Sequence, residues 1–202
     1  MYARVAAFEN RDLTATDEVI AMVKERRDSV PGAQGILMLV GRDEGTALGI
    51  TLFPDEQAIR DAEPAFEQLA TVIPAELRGR RVSVATYEVL MLEGGADAKA
   101  ARVSTLQGPP DQIDAGTRRA IDDVFPRVRA LDGFAGVISL GDRTTGTTKL
   151  ITLWTSAAAL AASTEAANAL RQEAAESAEG TIAGVEQYEV AIVEIQAGVT
   201  AS

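Results

Sequence analysis

"GITLFPDEQAI" at residues 49–59 and "LITLWTSAAAL" at residues 150–160 are two versions of one pattern, an apolar strand that runs into the start of a helix. Shifting the chain by 101 residues aligns residues 32–89 with 133–190 and gives 17 identities in 58 positions. Chance would give about one identity in twelve positions for a composition of this kind. The chain is therefore predicted to be a tandem duplication.

Both copies show the same order of predicted elements. The first copy has a strand at 4–9, a helix at 16–30, a hairpin with strands at 34–40 and 47–53, a helical stretch from 55 that breaks near Pro64, and a strand at 81–92. The second copy has a strand at 102–107, a helix at 114–130, a hairpin at 137–154, helices at 156–178 and a strand at 182–195. Pro126 should kink the helix at 114–130 or mark its last turn.

This order, βαββαβ, predicts an α+β protein made of two ferredoxin-like repeats. We place the first repeat at 1–92, a small and polar linker at 93–100, and the second repeat at 101–197. The last strand of the first copy is apolar on both alternating sides, with Val82, Val84 and Leu90 on one and Tyr87, Val89 and Met91 on the other. Because an uncovered sheet face would be a large apolar patch, we expect the two antiparallel sheets to pack together as one barrel.

The composition of the chain excludes several kinds of chemistry. With 202 residues, 47% of them apolar, the chain can bury a core, and its net charge of −11 disfavours nucleic acid and anionic membranes as partners. It contains no Cys and no His, which removes thiol nucleophiles, Ser-His-Asp hydrolysis and His-ligated zinc or haem. No run is apolar and long enough to be a membrane helix or a signal peptide. We expect a cytoplasmic protein without metal or cofactor, whose partner is a small molecule or a protein.

At "TLWTSAAAL" (152–160) the sequence resembles the dimeric α/β barrel superfamily, in particular its antibiotic-biosynthesis-monooxygenase-like (ABM-like) branch. The resemblance covers nearly the whole chain and implies a third strand that ends in Trp154, a polar N-cap and a helix start. It implies two ferredoxin-like units in one barrel, here a pseudo-dimer within one chain. As an enzyme, such a protein would be a cofactor-independent monooxygenase acting on a small aromatic or polyketide-type substrate. The alternative is a non-catalytic barrel that binds a small ligand or a protein.

The stretch "AFENRDL" (7–13) resembles haem-degrading members of the superfamily, which place an Asn after the first strand. Those enzymes also need an axial His and a Trp on the second helix, whereas "SAAALAASTEAANAL" (156–170) has no His and no large aromatic residue. Haem degradation by that route is therefore not expected. Asn10 is a candidate catalytic residue of the oxygenase, and local hydrogen bonding in a turn is the structural alternative.

The remaining candidate residues lie at matched positions in the two copies. Tyr188 and Glu189 are candidate catalytic residues, since a Tyr hydroxyl can donate to a phenolic substrate and a Glu with a raised pKa can act as a base. Trp154, Tyr87 and Phe53 are candidate ligand-binding residues, with core packing as the alternative reading for each aromatic side chain.

Charged and small residues give two more expectations. We expect Arg4 to pair with Glu88 and Arg102 with Glu189, because the first and last strands of a ferredoxin-like sheet are neighbours. The alanine-rich helices of the second copy leave either vacant space or room for tighter packing. If only one copy holds a ligand cleft, the second copy is the choice that this composition favours.

Overall fold

The structure is a computed structural model that describes residues 1–9 and 13–196. The first repeat contains β1 (Tyr2–Glu9), α1 (Thr16–Glu25), β2 (Gly35–Gly41), β3 (Thr46–Phe53), α2 (Glu56–Val72), α3 (Ala75–Arg78) and β4 (Arg80–Gly94). The second contains β5 (Ala100–Gln107), α4 (Ile113–Arg119), a π-helical turn (Ala120–Val124), α5 (Phe125–Arg129), β6 (Phe134–Asp142), β7 (Thr147–Trp154), α6 (Ala157–Ala162), α7 (Thr164–Ser177) and β8 (Thr181–Ile195).

Hydrogen bonds join the eight strands in the order β1-β3-β2-β8-β5-β7-β6-β4, and this ladder closes as a barrel. The predicted α+β fold, with two βαββαβ repeats that contribute their antiparallel strands to one barrel, is confirmed. The described chain divides into two compact units. The first unit comprises the described residues up to Tyr87 and 189–196, and the second comprises 88–188.

In the first unit, β3 pairs with β1 on one side and with β2 on the other, and β2 pairs with the end of β8. The second unit repeats this pattern, since β7 pairs with β5 and β6, and β6 pairs with the end of β4. The last strand of each repeat thus completes the sheet of the unit formed mainly by the other repeat. The repeat boundaries at 1–92 and 101–197 remain a prediction.

The equivalent turns and caps explain why both copies fold alike. Gly45 and Gly146 have φ values of 64° and 74° in the two hairpin turns, a conformation that glycine adopts without steric cost. Asp55 accepts a hydrogen bond from the N–H of Ala58 at 2.8 Å and begins α2. Ser156 begins α6 as the polar N-cap that the sequence predicted.

The two prolines predicted to interrupt helices have different effects. The predicted break near Pro64 is wrong, because α2 continues through Pro64. Pro64 is exposed, so water can satisfy the carbonyl that the missing N–H leaves without a partner. Pro126 lies in the first turn of α5, directly after the π-helical turn, so the helix changes its hydrogen-bond pattern just before the proline.

Each unit has its own cores between sheet and helices. In the first unit one core contains Val19 and Ile20 of α1 with Met38, Val40 and Ile73, and also Ile192. In the second unit the corresponding core contains Met91, Val124, Phe125, Val128, Val137 and Leu170. The helices of each unit therefore cover one face of its own sheet, and the space between that face and the helices is where a ligand could enter.

Candidate ligand-binding cavity in the first unit

A cavity of about 420 Å³ lies between the sheet and the helices of the first unit. Its described lining comes from β1, β2, β3, α1, α2, the residue after α2, α3 and the start of β4. The walls are mostly apolar, with three arginines among them. The lining residues are Arg4, Ala6, Phe8, Val19, Val23, Ile36, Met38, Ala47, Leu48, Gly49, Phe66, Glu67, Leu69, Ala70, Ile73, Arg78 and Arg81.

Gly49 opens the floor of this cavity. A Cβ atom added to Gly49 would meet no heavy atom within 4 Å. Gly49 lies opposite Ala6 in the ladder between β1 and β3, so two small residues face the same space. Glycine inside a strand weakens the strand, and it often marks a place where a ligand approaches the backbone. At this position the sheet therefore presents almost no side-chain atoms to the cavity.

The second unit fills the equivalent position. In the ladder between β5 and β7, Ser104 lies opposite Leu150, exactly as Ala6 lies opposite Gly49. Leu150 packs against the core of the second unit. Ala70 of α2 corresponds to Arg171 of α7, whose Nε donates to Oγ of Ser104 at 2.8 Å. The leucine and the arginine thus occupy space that Gly49 and Ala70 leave open in the first unit.

Only a small space remains in the second unit at this place. A cavity of about 70 Å³ is lined by Leu106, Ser139, Thr148, Leu150 and Ala174 among others, which are the counterparts of Phe8, Met38, Ala47, Gly49 and Ile73. The larger cavity therefore lies in the first repeat, and not in the second as the alanine-rich helices suggested. Their small side chains allow close packing, and Arg171 takes up much of the room that remains.

An ion pair forms part of the cavity wall. Arg4 is 4% exposed, and its guanidinium binds the carboxylate of Glu63 with Nε to Oε1 at 2.7 Å and Nη2 to Oε2 at 3.3 Å. The guanidinium carbon lies 3.9 Å from the ring centroid of Phe66, which is a cation–π contact. This bidentate and stacked arrangement fixes a cationic group and an aromatic ring side by side at the cavity.

Arg78 and Arg81 lie at the side of the cavity that α3 and β4 form. One Nη group of Arg78 donates to the carbonyl oxygen of Ala70 near the end of α2. Nε of Arg78 is buried, and it has no hydrogen-bond partner among the described residues. Arg81 contacts the carboxylate of Glu67 at 3.3 Å. Arg78 is therefore the one of the three lining arginines that has no described carboxylate partner.

The structure places the predicted ligand-binding residues Trp154 and Phe53 in the cores beneath the helices. Trp154 is fully buried, and its indole N–H donates to Oγ1 of Thr152 at 3.2 Å. Its ring packs edge-to-face against Phe134 with centroids 6.0 Å apart. Phe53 is also fully buried and contacts Phe66 edge-to-face at 6.2 Å. Neither residue belongs to the described lining of the two cavities, so their ligand-binding role remains a prediction.

Three other predicted site residues, Tyr87, Tyr188 and Glu189, are not part of the described cavity lining either. Tyr87 and Tyr188 are buried, at 8% and 6% exposure. Glu189 is exposed in the middle of β8, opposite Val40 of β2. Asn10 lies outside the described residues. The catalytic roles of Asn10, Tyr188 and Glu189 and the ligand-binding role of Tyr87 remain predictions.

The expected pairs of Arg4 with Glu88 and of Arg102 with Glu189 are wrong. Arg42 binds Glu189 at 2.5 Å and Asp17 at 2.9 Å, and the equivalent Arg143 binds Glu88 and Asp114. Because the ends of β4 and β8 pair with β6 and β2, both glutamates lie beside the hairpins that carry these arginines. The hydrogen bond from Arg42 lowers the pKa of Glu189, whereas a general base would need a raised pKa.

Arg102 is buried without a described carboxylate partner. Its guanidinium donates to Oγ of Ser163 at 3.1 Å, to the carbonyl of Leu160 at 2.8 Å and to Oγ1 of Thr164 at 3.1 Å. Burial lowers the pKa of Arg102 to about 10, and the positive charge of Arg171 adds to that effect. In the second repeat, neutral oxygen atoms thus replace the carboxylate that Glu63 supplies to Arg4.

Sequence reasoning missed the lining residues Gly49, Ala70 and Arg78. The signal lay in positions where the aligned repeats differ, namely Gly49 with Leu150 and Ala70 with Arg171. Positions with the same residue in both repeats indicate the fold that the repeats share. Core positions where one repeat has a small side chain and the other a large one indicate a space that only one repeat leaves open. Over the described residues, no group of three or more Asp, Glu, His or Cys is arranged to hold a metal ion. None of the helices in that part of the chain could cross a membrane.

No protein-family profile matches the sequence. The chain is 23% identical over 188 residues to the uncharacterised protein Rv2557 of Mycobacterium tuberculosis (strain ATCC 25618 / H37Rv), covering 91% of this chain and 83% of that protein. Among solved structures, the chain resembles a proposed monooxygenase from Lactobacillus acidophilus NCFM, with a TM-score of 0.68, 11% identity, and coverage of 100% and 99%.

Two further structures are similar to this chain. One is an anthrone oxidase-like protein, with a TM-score of 0.67, 14% identity, and coverage of 97% of this chain and 93% of that one. The other is a ferredoxin-fold protein related to antibiotic biosynthesis monooxygenases from Listeria monocytogenes 4b F2365, with a TM-score of 0.53, 9% identity, and coverage of 93% and 94%. The resemblance to ABM-like proteins predicted from the sequence is confirmed at the level of the fold.

Proposed function

We propose that this protein binds a small aromatic molecule in the cavity of the first unit. The observation that carries the proposal is the open space at Gly49, which the second repeat closes with Leu150 and Arg171. If the space served only packing, the first repeat could close it in the same way. A core that omits a side chain at one strand position loses burial energy, so the omission points to an occupant.

The size and lining of the cavity fit an aromatic ligand. The volume is about 420 Å³, whereas an engineered cavity of about 150 Å³ accommodates one benzene molecule. Two or three fused rings would therefore fit. The walls are largely aliphatic, and Phe66 adds an aromatic ring whose orientation is fixed by its contact with Arg4. Apolar walls with a few fixed polar groups are typical of small-molecule sites.

Binding of 2-naphthol, measured by isothermal titration calorimetry, tests this proposal. We expect the wild type to bind the probe and Gly49→Leu to lose at least about tenfold in affinity, because the leucine side chain would enter the cavity. Gly184→Leu is the matched control, since Gly184 is also a strand glycine whose added Cβ would meet nothing within 4 Å. Equal affinity in all three proteins, or no binding to the wild type, would refute the proposal.

A cofactor-independent monooxygenase is the second candidate function. The similarity in fold to an anthrone oxidase-like protein supports it, and so does the positive charge that Arg78 adds to the cavity wall. Such a wall would stabilise the ionised form of an anthrone or quinol, whose electron-rich carbon reacts with oxygen. For an anthrone, the CH₂ group and O₂ give a C=O group and water, so the substrate itself supplies the electrons.

Oxygen uptake with anthrone distinguishes an enzyme from a binder. An enzyme should consume one O₂ for each anthrone, and the rate should fall when Asn10, Tyr188 or Glu189 is replaced if those residues are catalytic. Arg60→Gln on the exposed surface of α2 is the control. Binding of 2-naphthol without oxygen uptake would leave the ligand-binding function and remove the catalytic one. The cytoplasmic location belongs to the same proposal, and fractionation of producing cells would test it.

A further inference from the structure

The charges around the cavity of the first unit are not balanced. Arg4 is paired with Glu63, and Arg81 with Glu67. Arg78 has no ion pair with a carboxylate among the described residues, although it lines the same cavity. The described wall therefore carries one guanidinium whose charge has no described counter-charge. A buried or half-buried cation of this kind favours an anionic partner.

The position of Arg78 beside the end of α2 accounts for the hydrogen bond that one Nη group makes, but not for its buried Nε. The carbonyl of Ala70 is one of the last carbonyls of α2, and such carbonyls lack partners within the helix. An Nη group of Arg78 donates to this carbonyl, which is a common stabilising role for arginine at the end of a helix. Nε of the same guanidinium is buried and has no acceptor in the described part of the chain. Helix capping thus uses one donor of Arg78 and leaves its positive charge without a described carboxylate partner.

The second repeat lacks this arrangement. The residue equivalent to Arg78 is Glu179, and the residue equivalent to Ala70 is Arg171. Arg171 donates to Ser104 and to Oδ1 of Asn168, both at 2.8 Å, so its described contacts lie within the protein. The combination of an open cavity and a guanidinium that lines it without a described carboxylate partner is therefore particular to the first repeat.

We infer that the ligand of this cavity is an aromatic monoanion, and that its acidic oxygen accepts a hydrogen bond from the guanidinium of Arg78, which lines the cavity. The oxygen belongs to a carboxylate or to an ionised ring hydroxyl, which present the same charged acceptor. The ring system occupies the apolar part near Gly49 and Phe66. This inference rests on the proposed ligand-binding function and adds the charge of the ligand and its anchoring residue. Arg78 acts as a binding residue, since it touches the ligand directly.

Calorimetric titration with two probes of similar shape tests the inference. The probes are 2-naphthoate, which carries a carboxylate, and 2-naphthalenemethanol, which is neutral. We expect the wild type to bind 2-naphthoate at least about tenfold more tightly, because a hydrogen bond to a charged group is stronger than one to a neutral group. Arg78→Met should abolish this preference and leave the affinity for the neutral probe unchanged. The surface variant Arg60→Met should behave as the wild type does.

The outcomes separate this inference from the function on which it rests. If neither probe binds the wild type, the ligand-binding function fails and this inference fails with it. If both probes bind equally well, or if Arg78→Met keeps the preference, the cavity binds aromatic molecules but the inference is wrong. Retained binding of the neutral probe shows that Arg78→Met is folded and that its cavity is intact.

A second measurement does not depend on the folding of Arg78→Met. The Nε–H group of Arg78 gives its own signal in a proton–nitrogen correlation spectrum, and Arg78→Lys assigns that signal by removing it. Saturation with 2-naphthoate should shift the signal, whereas 2-naphthalenemethanol should shift it much less. An Nε–H signal that does not respond to saturating 2-naphthoate would overturn the inference.

Discussion

Replacing Gly49 by leucine should stabilise the protein while it closes the cavity. A Cβ atom at this position would meet no heavy atom within 4 Å, and the φ angle of Gly49 is not positive, so a side chain causes no backbone strain. Burying a leucine side chain contributes about 1.5–3 kcal/mol, and removing a glycine from a strand adds about 0.5–1 kcal/mol. Loss of rotamer freedom subtracts about 0.5–1 kcal/mol. The expected gain is about 2 kcal/mol.

Thermal and urea unfolding of the wild type, Gly49→Leu and Gly184→Leu measure this gain. For a chain of this size, a gain of about 2 kcal/mol corresponds to a rise in Tm of about 4–8 °C. Gly184→Leu also removes a strand glycine that has open space around it, but Gly184 lies between the exposed residues Ala183 and Val185 and lines neither described cavity, so its gain should be smaller. If Gly49→Leu instead lost more than about 1 kcal/mol, the leucine would be overpacking a filled core, and the cavity would not exist as described.

Three other substitutions test the account further. Glu63→Gln leaves the buried guanidinium of Arg4 without its carboxylate and should lower the free energy of unfolding in urea by about 1–3 kcal/mol. The control Glu67→Gln affects a pair that is more exposed to solvent and should cost less than about 0.5 kcal/mol. Similar losses in the two variants would contradict this reasoning. Because Arg42 lowers the pKa of Glu189 below its usual 4.5, the pair stabilises the fold above that pH and this contribution is lost as the pH falls. Urea midpoints between pH 6 and pH 3 should therefore fall less steeply in Arg42→Gln than in the wild type, and an equal slope would show that the pair is not formed. Trp154→Phe should lower the free energy of unfolding by about 1–3 kcal/mol, because packing and the hydrogen bond to Thr152 are lost. The same variant should bind 2-naphthol as the wild type does. Weakened binding by the folded variant would show that Trp154 contacts the ligand.

The fold was predictable because the repeats share the residues that form their turns, caps and strands. Gly45 and Gly146 form the hairpin turns, and Asp55 and Ser156 begin the helices. These requirements are local, so the sequence reports them directly. The break predicted at Pro64 was wrong because the effect of a proline depends on whether water can reach the carbonyl it leaves without a partner.

The cavity could not be predicted by the same reasoning, because it depends on volumes summed over several elements. The alanine-rich helices of the second repeat suggested vacant space there, but the floor of the space is set by a strand residue, Leu150 or Gly49. The ion pairs also depended on register. Glu88 and Glu189 lie opposite Gly141 and Val40, and this places both carboxylates beside arginines of the hairpins.

A crystal structure of the protein grown with 2-naphthoate tests the central claim most directly. We expect ligand density in the first unit, with the rings beside Gly49 and the carboxylate within hydrogen-bond distance of the guanidinium of Arg78. The corresponding position in the second unit should show the side chains of Leu150 and Arg171 and no ligand. Density for 2-naphthoate elsewhere on the chain, or side chains of the first unit filling the space beside Gly49, would contradict the account.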